Sequence, residues 1–307
     1  MVRVHGFRAR PSWPSRNDNV NVHSYSAARW PTRKRKVAMT IASASSSSTY
    51  RASDGAAYER FLGRWSRLLA GPFAEFARPA DQGRVLDVGC GTGSLALALA
   101  ERGAPDRVAG IDIAAPYIAF ARSRPGAAGI GFVVGDACHL PYADNGFAAA
   151  MAHFVPNAAQ AVREMRRVVR PGGVVAAAVW DFRGGLVFQR LFWDAAAGLD
   201  PDAGTARDRL FSGPLALPDG LPMIWRDAGL AAVERGSITI RMEYADFADY
   251  WEPLLGGQGP VGAYVEGLPP ERRRLIEERV RVAFLSGAPD GPRSLTATAW
   301  AMRGVVP

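Results

Sequence analysis

At 307 residues, with 48% hydrophobic residues and no apolar run of membrane-spanning length, the chain can build one sizeable domain with additions and is not expected to sit in a membrane. The formal charge of +8 does not mark a nucleic-acid surface: nine basic residues fall within positions 1–38 against Asp18 alone, and setting these aside from the 37 basic and 29 acidic residues leaves 28 of each sign. Cys90 and Cys138 are too few for a disulfide framework and fit a reducing cytoplasm, and beyond position 38 only His139 and His153 remain, so no histidine-built metal site is expected.

Residues 1–50 carry few apolar residues at any regular period, and Ser43 to Ser48 is nearly homopolymeric, so the segment reads as a disordered basic and Ser-rich extension. Its composition also suits an organellar transit peptide, and Arg33-Lys-Arg-Lys a localisation patch; translation from Met39 would make it an upstream extension. Order is expected from near Tyr58, where Tyr58, Phe61, Leu62, Trp65, Leu68 and Leu69 recur at helical spacing.

The stretch Arg84 to Ser94, RVLDVGCGTGS, then sets the character of the chain. Val85 to Val88 has the apolar make-up of a buried parallel strand, and Leu95-Ala-Leu-Ala-Leu-Ala is a run of good helix formers. Gly89, Gly91 and Gly93 join the two, so bare backbone N–H groups and a helix N-terminus would come close to a ligand, with Asp87 supplying the opposite sign. Such a site suits a ligand bearing both an anionic and a cationic group. The glycine spacing departs from the dinucleotide fingerprint G-x-G-x-x-G, which counts against a nicotinamide or flavin cofactor.

Two further strands end in acids. Arg107-Val-Ala-Gly-Ile closes on Asp112, placed to accept ribose hydroxyls or to cap a helix from Ala114, and Gly131-Phe-Val-Val-Gly closes on Asp136. Cys138 and His139 follow, but adjacent residues in a strand exit point apart and do not make a catalytic pair.

D-V-G-C-G-T-G after a strand closely resembles motif I of the class I S-adenosylmethionine-dependent methyltransferases, and Gly135-Asp136-Ala137 and Arg170-Pro-Gly-Gly resemble later segments of the same family, type 11-like among its small-molecule enzymes. The resemblance implies S-adenosyl-L-methionine as cofactor, held by Asp87, Gly89, Cys90, Gly91, Thr92, Gly93, Asp112, Ile113, Asp136 and Ala137, with Ile113 on an adenine face and Asp136 accepting from the adenine amine. In the family a helix ahead of motif I packs over the cofactor, which would bring Tyr58, Arg64 and Trp65 to the site; a plain core stripe is the alternative. His153 is the one histidine near the expected acceptor side and the candidate general base. Against the family pattern, Ala148 replaces the usual Asp and Ala149 to Ala152 runs about four residues short, roughly 13 Å of extended strand. The fourth strand is therefore expected to pair incompletely and pack weakly.

Asn157 caps a helix whose Ala161, Val162, Met165, Val168 and Val169 form one face, and Val174 to Trp180 is the fifth strand. Leu221 to Leu230 is helical, Ser237 to Glu243 alternates as a strand, a helix runs from Glu271 to about Leu285, and Leu295 to Met302 reads as a closing edge strand. The expected architecture is α/β: a doubly wound, Rossmann-like, mostly parallel seven-stranded sheet with an α-helical, aromatic lid insertion. The domain spans 51–307, with its core at 56–181, 221–244 and 294–304 and lid segments at 182–220 and 245–293. The implied function is methyl transfer to a small-molecule acceptor, with no nucleic-acid or membrane partner for the folded body. A cofactor-binding protein without turnover is the alternative, and a nicotinamide-dependent oxidoreductase a more distant one.

Overall fold

The computed structural model describes residues 20–24, 53–80, 82–152, 157–212 and 219–307, so His153 lies outside the described residues. The chain contributes β1 (Val20–Ser24), α1 (Gly55–Tyr58), a π-helical turn at Glu59–Gly63 and α2 (Arg64–Ala77) before the sheet proper begins. There follow β2 (Val85–Val88), α3 (Ser94–Arg102), β3 (Val108–Asp112), α4 (Ala115–Ser123), β4 (Gly131–Val134), β5 (Phe147–Ala152), α5 (Ala158–Val168) and β6 (Val169–Trp180). Strands β2 to β6 pair in parallel and carry the apolar runs read from the sequence, because helices cover both faces and leave no polar side to alternate with. Neighbour order through the sheet is β1-β7-β8-β6-β5-β2-β3-β4, where β7 is Ala231–Tyr244 and β8 is Arg293–Val305. The order reverses between β2 and β5, so the crevice that receives ligands in such sheets opens beyond Val88 and Ala152.

Two expectations about the sheet change. Val20–Ser24, inside the segment read as disordered, runs antiparallel to β7 and adds an eighth strand. The outer edge of β7 offers a ladder of N–H and C=O groups, which this strand takes up from Val20↔Ile240 to Ser24↔Gly236. The strand at Leu295 to Met302 is not an edge: β8 runs antiparallel between β6 and β7, pairing with both along most of its length. A long strand with partners on each side buries more apolar area than an edge position allows.

The fourth parallel strand also departs from expectation. Residues Ala149 to Ala152 pair with Val85 to Val88 on one side and with Val174 to Ala177 on the other, and every residue of β5 is buried. The alanines fit because their surroundings come close. A Cβ on Gly83 would stand 2.8 Å from Ala148 Cβ, and one on Gly173 would stand 2.6 Å from the Ala148 carbonyl oxygen. On one face Ala149 and Met151 join the cluster holding Ala70, Phe73 and Ala74 of α2; on the other, Ala150 and Ala152 join Ala161, Val162 and Met165 of α5. Small residues on the strand let both helices approach the sheet, so the missing side-chain volume is taken up by neighbours.

Of the remaining elements, α8 (Gly220–Asp227) packs beside α5 on the sheet face, its Trp225 Nε1 donating to the Val175 carbonyl at 3.0 Å, while α6 (Val187–Ala197), α7 (Pro201–Ser212), α9 (Phe247–Trp251), α10 (Gly259–Glu266) and α11 (Pro270–Leu285) make up the lid. The two lid segments pack on each other through aromatic rings, Phe192 with Trp251 at 6.3 Å and Trp193 with Tyr264 at 5.5 Å between centroids. Phe188 meets Phe61 of the π turn at 5.8 Å, which joins the cap to the segment ahead of β2. Among the described residues no helix is long and apolar enough to cross a membrane.

The alanine strand gives a direct test. Enlarging it at Ala149→Val should lower stability by about 1–3 kcal/mol through overpacking against α2. Chemical unfolding of the two proteins decides it; a stabilised variant would restore the weakly packed strand expected from the sequence.

Candidate active site

The turn between β2 and α3 is built by glycine conformation. Gly89, Gly91 and Gly93 take φ of +68°, +53° and +85°, the left-handed region that side chains resist. This curl turns successive N–H groups toward the end of β3. Gly89 and Cys90 both donate to the Ile111 carbonyl, at 2.8 and 3.0 Å, and Gly91 donates to Asp112 Oδ2 at 2.8 Å. Asp112 Oδ1 accepts from the Ala114 N–H at 2.8 Å, bracing the entry to α4. Each carboxylate oxygen thus carries one backbone donor and keeps a free lone pair.

Asp87, 1% exposed, lies at the end of β2 and reaches up to the first turn of α3, where its Oδ2 accepts from the Ala96 N–H at 2.9 Å. Its Oδ1 is buried without a partner. Burial pushes this carboxyl up to about 8, with the nearby Asp112 adding to the rise. The sequence expectation of a fixed negative charge here therefore needs amendment, since near neutral pH the group holds its proton until a cation arrives.

Space opens on the glycine face. A Cβ on Gly91 would meet one atom within 4 Å, Tyr58 Cε1 at 3.9 Å, whereas one on Gly93 would stand 3.0 Å from Phe132 Cζ. Gly91 therefore borders a cradle and Gly93 serves close packing. Ile113, beside Asp112, is 73% exposed, as expected of an apolar side chain waiting for a flat partner.

The other sequence-identified residues divide. Cys90 turns its thiol toward β3, 3.1 Å from where a Cβ on Gly110 would stand, and burial raises its pKa well above normal, so it is an inert packing group. Thr92 gives its hydroxyl to Glu59 and its carbonyl to Arg124 at 2.9 Å, bracing the turn rather than facing a ligand. Asp136 accepts from the Cys138 N–H at 2.8 Å, which holds its pKa below the usual carboxylate range, and lies 3.1 Å from His139 Nδ1. His139 thus pairs with Asp136, and the Cys138 thiol is pushed up by burial and by Asp136, so the two form no nucleophile–base pair. Ala137, between them, is half-buried.

Glu59 and Arg124 escaped the sequence reading. Glu59 opens the π turn, where its carboxylate takes the Thr92 hydroxyl, Arg67 at 3.0 Å and Arg124 at 3.5 Å. Arg124, at the end of α4, also reaches Ser94 Oγ at 3.3 Å. A π turn often marks a functional segment. Here it places Tyr58 and Glu59 side by side over the glycine turn. Among the described residues no cluster of His, Cys, Asp and Glu could hold a metal ion.

Asp87 makes stability depend on pH. The folded state keeps a proton that the unfolded chain releases above about 4, so the contribution is full below that value and is lost progressively up to about pH 8. Wild type should lose stability relative to Asp87→Asn between pH 5 and 8, by up to about 1.4 kcal/mol per unit. Parallel thermal melts of both proteins at the two pH values measure it, and parallel curves would remove the raised carboxyl.

Comparison with known proteins places these features in a family context. Residues 85–173 match the family described as a methyltransferase domain. A demethylmenaquinone methyltransferase from Roseiflexus castenholzii is 35% identical over 175 residues, covering 51% of this chain and 71% of that protein. A fatty-acid O-methyltransferase from Mycolicibacterium smegmatis is 42% identical over 94 residues, 29% of this chain and 34% of that protein. A methyltransferase from Streptomyces halstedii is 40% identical over 112 residues, 34% of this chain and 40% of its own length. The chain thus spans a third to two fifths of two of these relatives and seven tenths of the other.

Proposed function

The chain belongs to the class I S-adenosylmethionine-dependent methyltransferases, and from that membership we propose that it transfers a methyl group from S-adenosyl-L-methionine to a small-molecule acceptor. The observation that carries the reading is the left-handed Gly89-Gly91-Gly93 turn, its open face at Gly91 and the carboxylates of buried Asp87 and half-buried Asp112 beside it.

The residues fit the group. The orphan Oδ1 of Asp87 is an acceptor for an ammonium, which would draw the proton off that carboxyl. The free lone pairs of Asp112 suit two ribose hydroxyls, Ile113 suits an adenine face, and Asp136, kept ionised by the Cys138 N–H, suits the exocyclic amine. When bound, S-adenosylmethionine supplies a methyl group on a sulfonium, so transfer breaks one S–C bond, forms one bond to the acceptor and leaves a neutral thioether. The protein's part is alignment and exclusion of water, for which the aromatic cap on the strand ends is suited. A general base is needed only for a weakly acidic acceptor, and His153 is our candidate for it. The fatty-acid and demethylmenaquinone enzymes among the relatives are named for molecules with apolar bodies, so we propose an acceptor of that kind. Cytoplasmic residence fits the two free thiols.

Calorimetric titration with S-adenosylmethionine and with NADH tests the cofactor, and methyl release across candidate acceptors tests turnover. Gly91→Val should abolish binding by filling the cradle under Tyr58; unchanged affinity would sink the assignment.

Asp112→Ala should weaken binding about ten- to a hundredfold, because charge-assisted bonds are worth roughly 1.5–3 kcal/mol. Asp112→Asn should lose less. A lower melting temperature with intact affinity would reduce Asp112 to a brace for Gly91 and Ala114.

A further inference from the structure

The later lid segment carries the sequence Gly256-Gly257-Gln258-Gly259, which the reading above leaves without a role. Gly257 and Gly259 take φ of +68° and +64°, so glycine is required on both sides of Gln258. The turn is pinned by contact: a Cβ on Gly256 would stand 3.4 Å from Ala57 Cβ, and one on Gly262 only 2.5 Å from the Gly257 carbonyl carbon. It drives Gln258 to 2% exposure.

There the amide is satisfied on both ends. Oε1 accepts from the Tyr117 hydroxyl at 2.9 Å, while Nε2 donates to Ser53 Oγ at 3.2 Å and to the Gly256 carbonyl at 3.0 Å. Tyr117 comes from α4 and Ser53 from the segment ahead of α1, so one side chain of the lid joins two elements distant in sequence. The Tyr117 ring lies 4.9 Å from the Tyr58 ring, and Tyr58 is the group that bounds the open face of Gly91. Contacts therefore run without a break from Gln258 through Tyr117 and Tyr58 to the glycine turn.

We propose that Gln258 is a positioning residue of the cofactor site: its bond to Tyr117 holds Tyr58 as the roof over Gly91, so the lid closes on the cofactor itself. The inference rests on the reading that the glycine turn binds S-adenosylmethionine. A lid that served the acceptor alone would have no need to bury a polar residue against α4, where an unmatched amide is costly and a leucine would pack without a partner. Entry and exit of the cofactor then require the Gly256–Gly259 turn to lift, which breaks the Gln258–Tyr117 bond and frees Tyr58. The two left-handed glycines supply the backbone freedom for that movement.

The test uses the full-length protein with S-adenosylmethionine and S-adenosylhomocysteine as probes, measuring affinity by calorimetry, dissociation by stopped-flow fluorescence and folding by thermal melts. Gln258→Leu should weaken both ligands about tenfold and speed their dissociation, because Tyr58 is no longer held over Gly91 in the bound state. Tyr117→Phe removes a single oxygen, leaves the ring on Tyr58 and should give an effect of similar size. The double variant should be no weaker than either single one, because both remove the same bond. Should Gln258→Leu fail to fold, Tyr117→Phe carries the test by itself. Affinity and dissociation within twofold of wild type, even with a lowered melting temperature, would show Gln258 to be a structural brace and overturn the inference. Failure of wild type to bind either ligand would instead overturn the cofactor reading, and this inference with it.

Discussion

The carboxyl end of β3 acts as a platform of acceptors on which the glycine turn is hung. The Ile111 carbonyl takes the N–H groups of Gly89 and Cys90, and the Asp112 carboxylate takes those of Gly91 and Ala114. Four backbone donors from two loops thereby converge on two consecutive residues. None of the three from the turn could reach them if the chain between β2 and α3 followed the right-handed path that side chains prefer. The left-handed glycines answer that requirement, and Gly91 in addition keeps its outer face clear. Because the protein itself consumes these N–H groups, recognition of a ligand falls to what is left: the second lone pairs of Asp112, the orphan oxygen of Asp87 and the bare Cα of Gly91.

Two carboxylates this close, one buried and one half-buried, are expensive in the free protein. Neither Asp87 nor Asp112 has an ion-pair partner among the described residues, and burial raises the pKa of both. Asp112 is moderated by two backbone donors, whereas Asp87 has one and moves further. A neutral residue at either position would be more comfortable in the empty fold. Their retention makes physical sense for a site whose ligand brings hydroxyl donors to one and positive charge to the other, since desolvation then strengthens each contact.

The parts of the structure that were legible in the sequence are the local ones. A strand, a glycine turn and a helix lie within Val85 to Arg102, and each acid marks its own strand end, so spacing alone carried them. What the sequence hid depends on partners far along the chain. Ala148 to Ala152 looked impoverished because Gly83 and Gly173, whose bare Cα atoms make room for close packing, are recognisable as its neighbours only once the strands are paired. β8 looked like an edge because nothing in Leu295 to Met302 announces that β7 will lie outside it. Val20–Ser24 gave too short an alternation to stand out from a Ser- and Arg-rich segment. Glu59 and Gln258 carried no pattern at all, since Arg124 and Tyr117 are their partners only through the fold.

The covering of the site divides its labour between apolar and polar contacts. Rings such as Phe61, Phe188, Phe192 and Trp251 supply area and keep water out, but packing of this kind is weakly directional and tolerates shifts between neighbours. Direction comes from two polar residues, Gln258 buried and Glu59 half-buried. Glu59 ties the π turn to Thr92 and Arg124, while Gln258 ties the lid to Tyr117 and to Ser53 ahead of α1. Tyr58 sits between these clamps, next to Glu59 in the chain and against Tyr117 in space. A shift of either clamp would leave the buried Gln258 amide or the half-buried Glu59 carboxylate without its partner, a penalty that apolar rings do not impose. The aromatic cap alone could settle over the strand ends in several arrangements; the clamps select the one in which Tyr58 stands over Gly91.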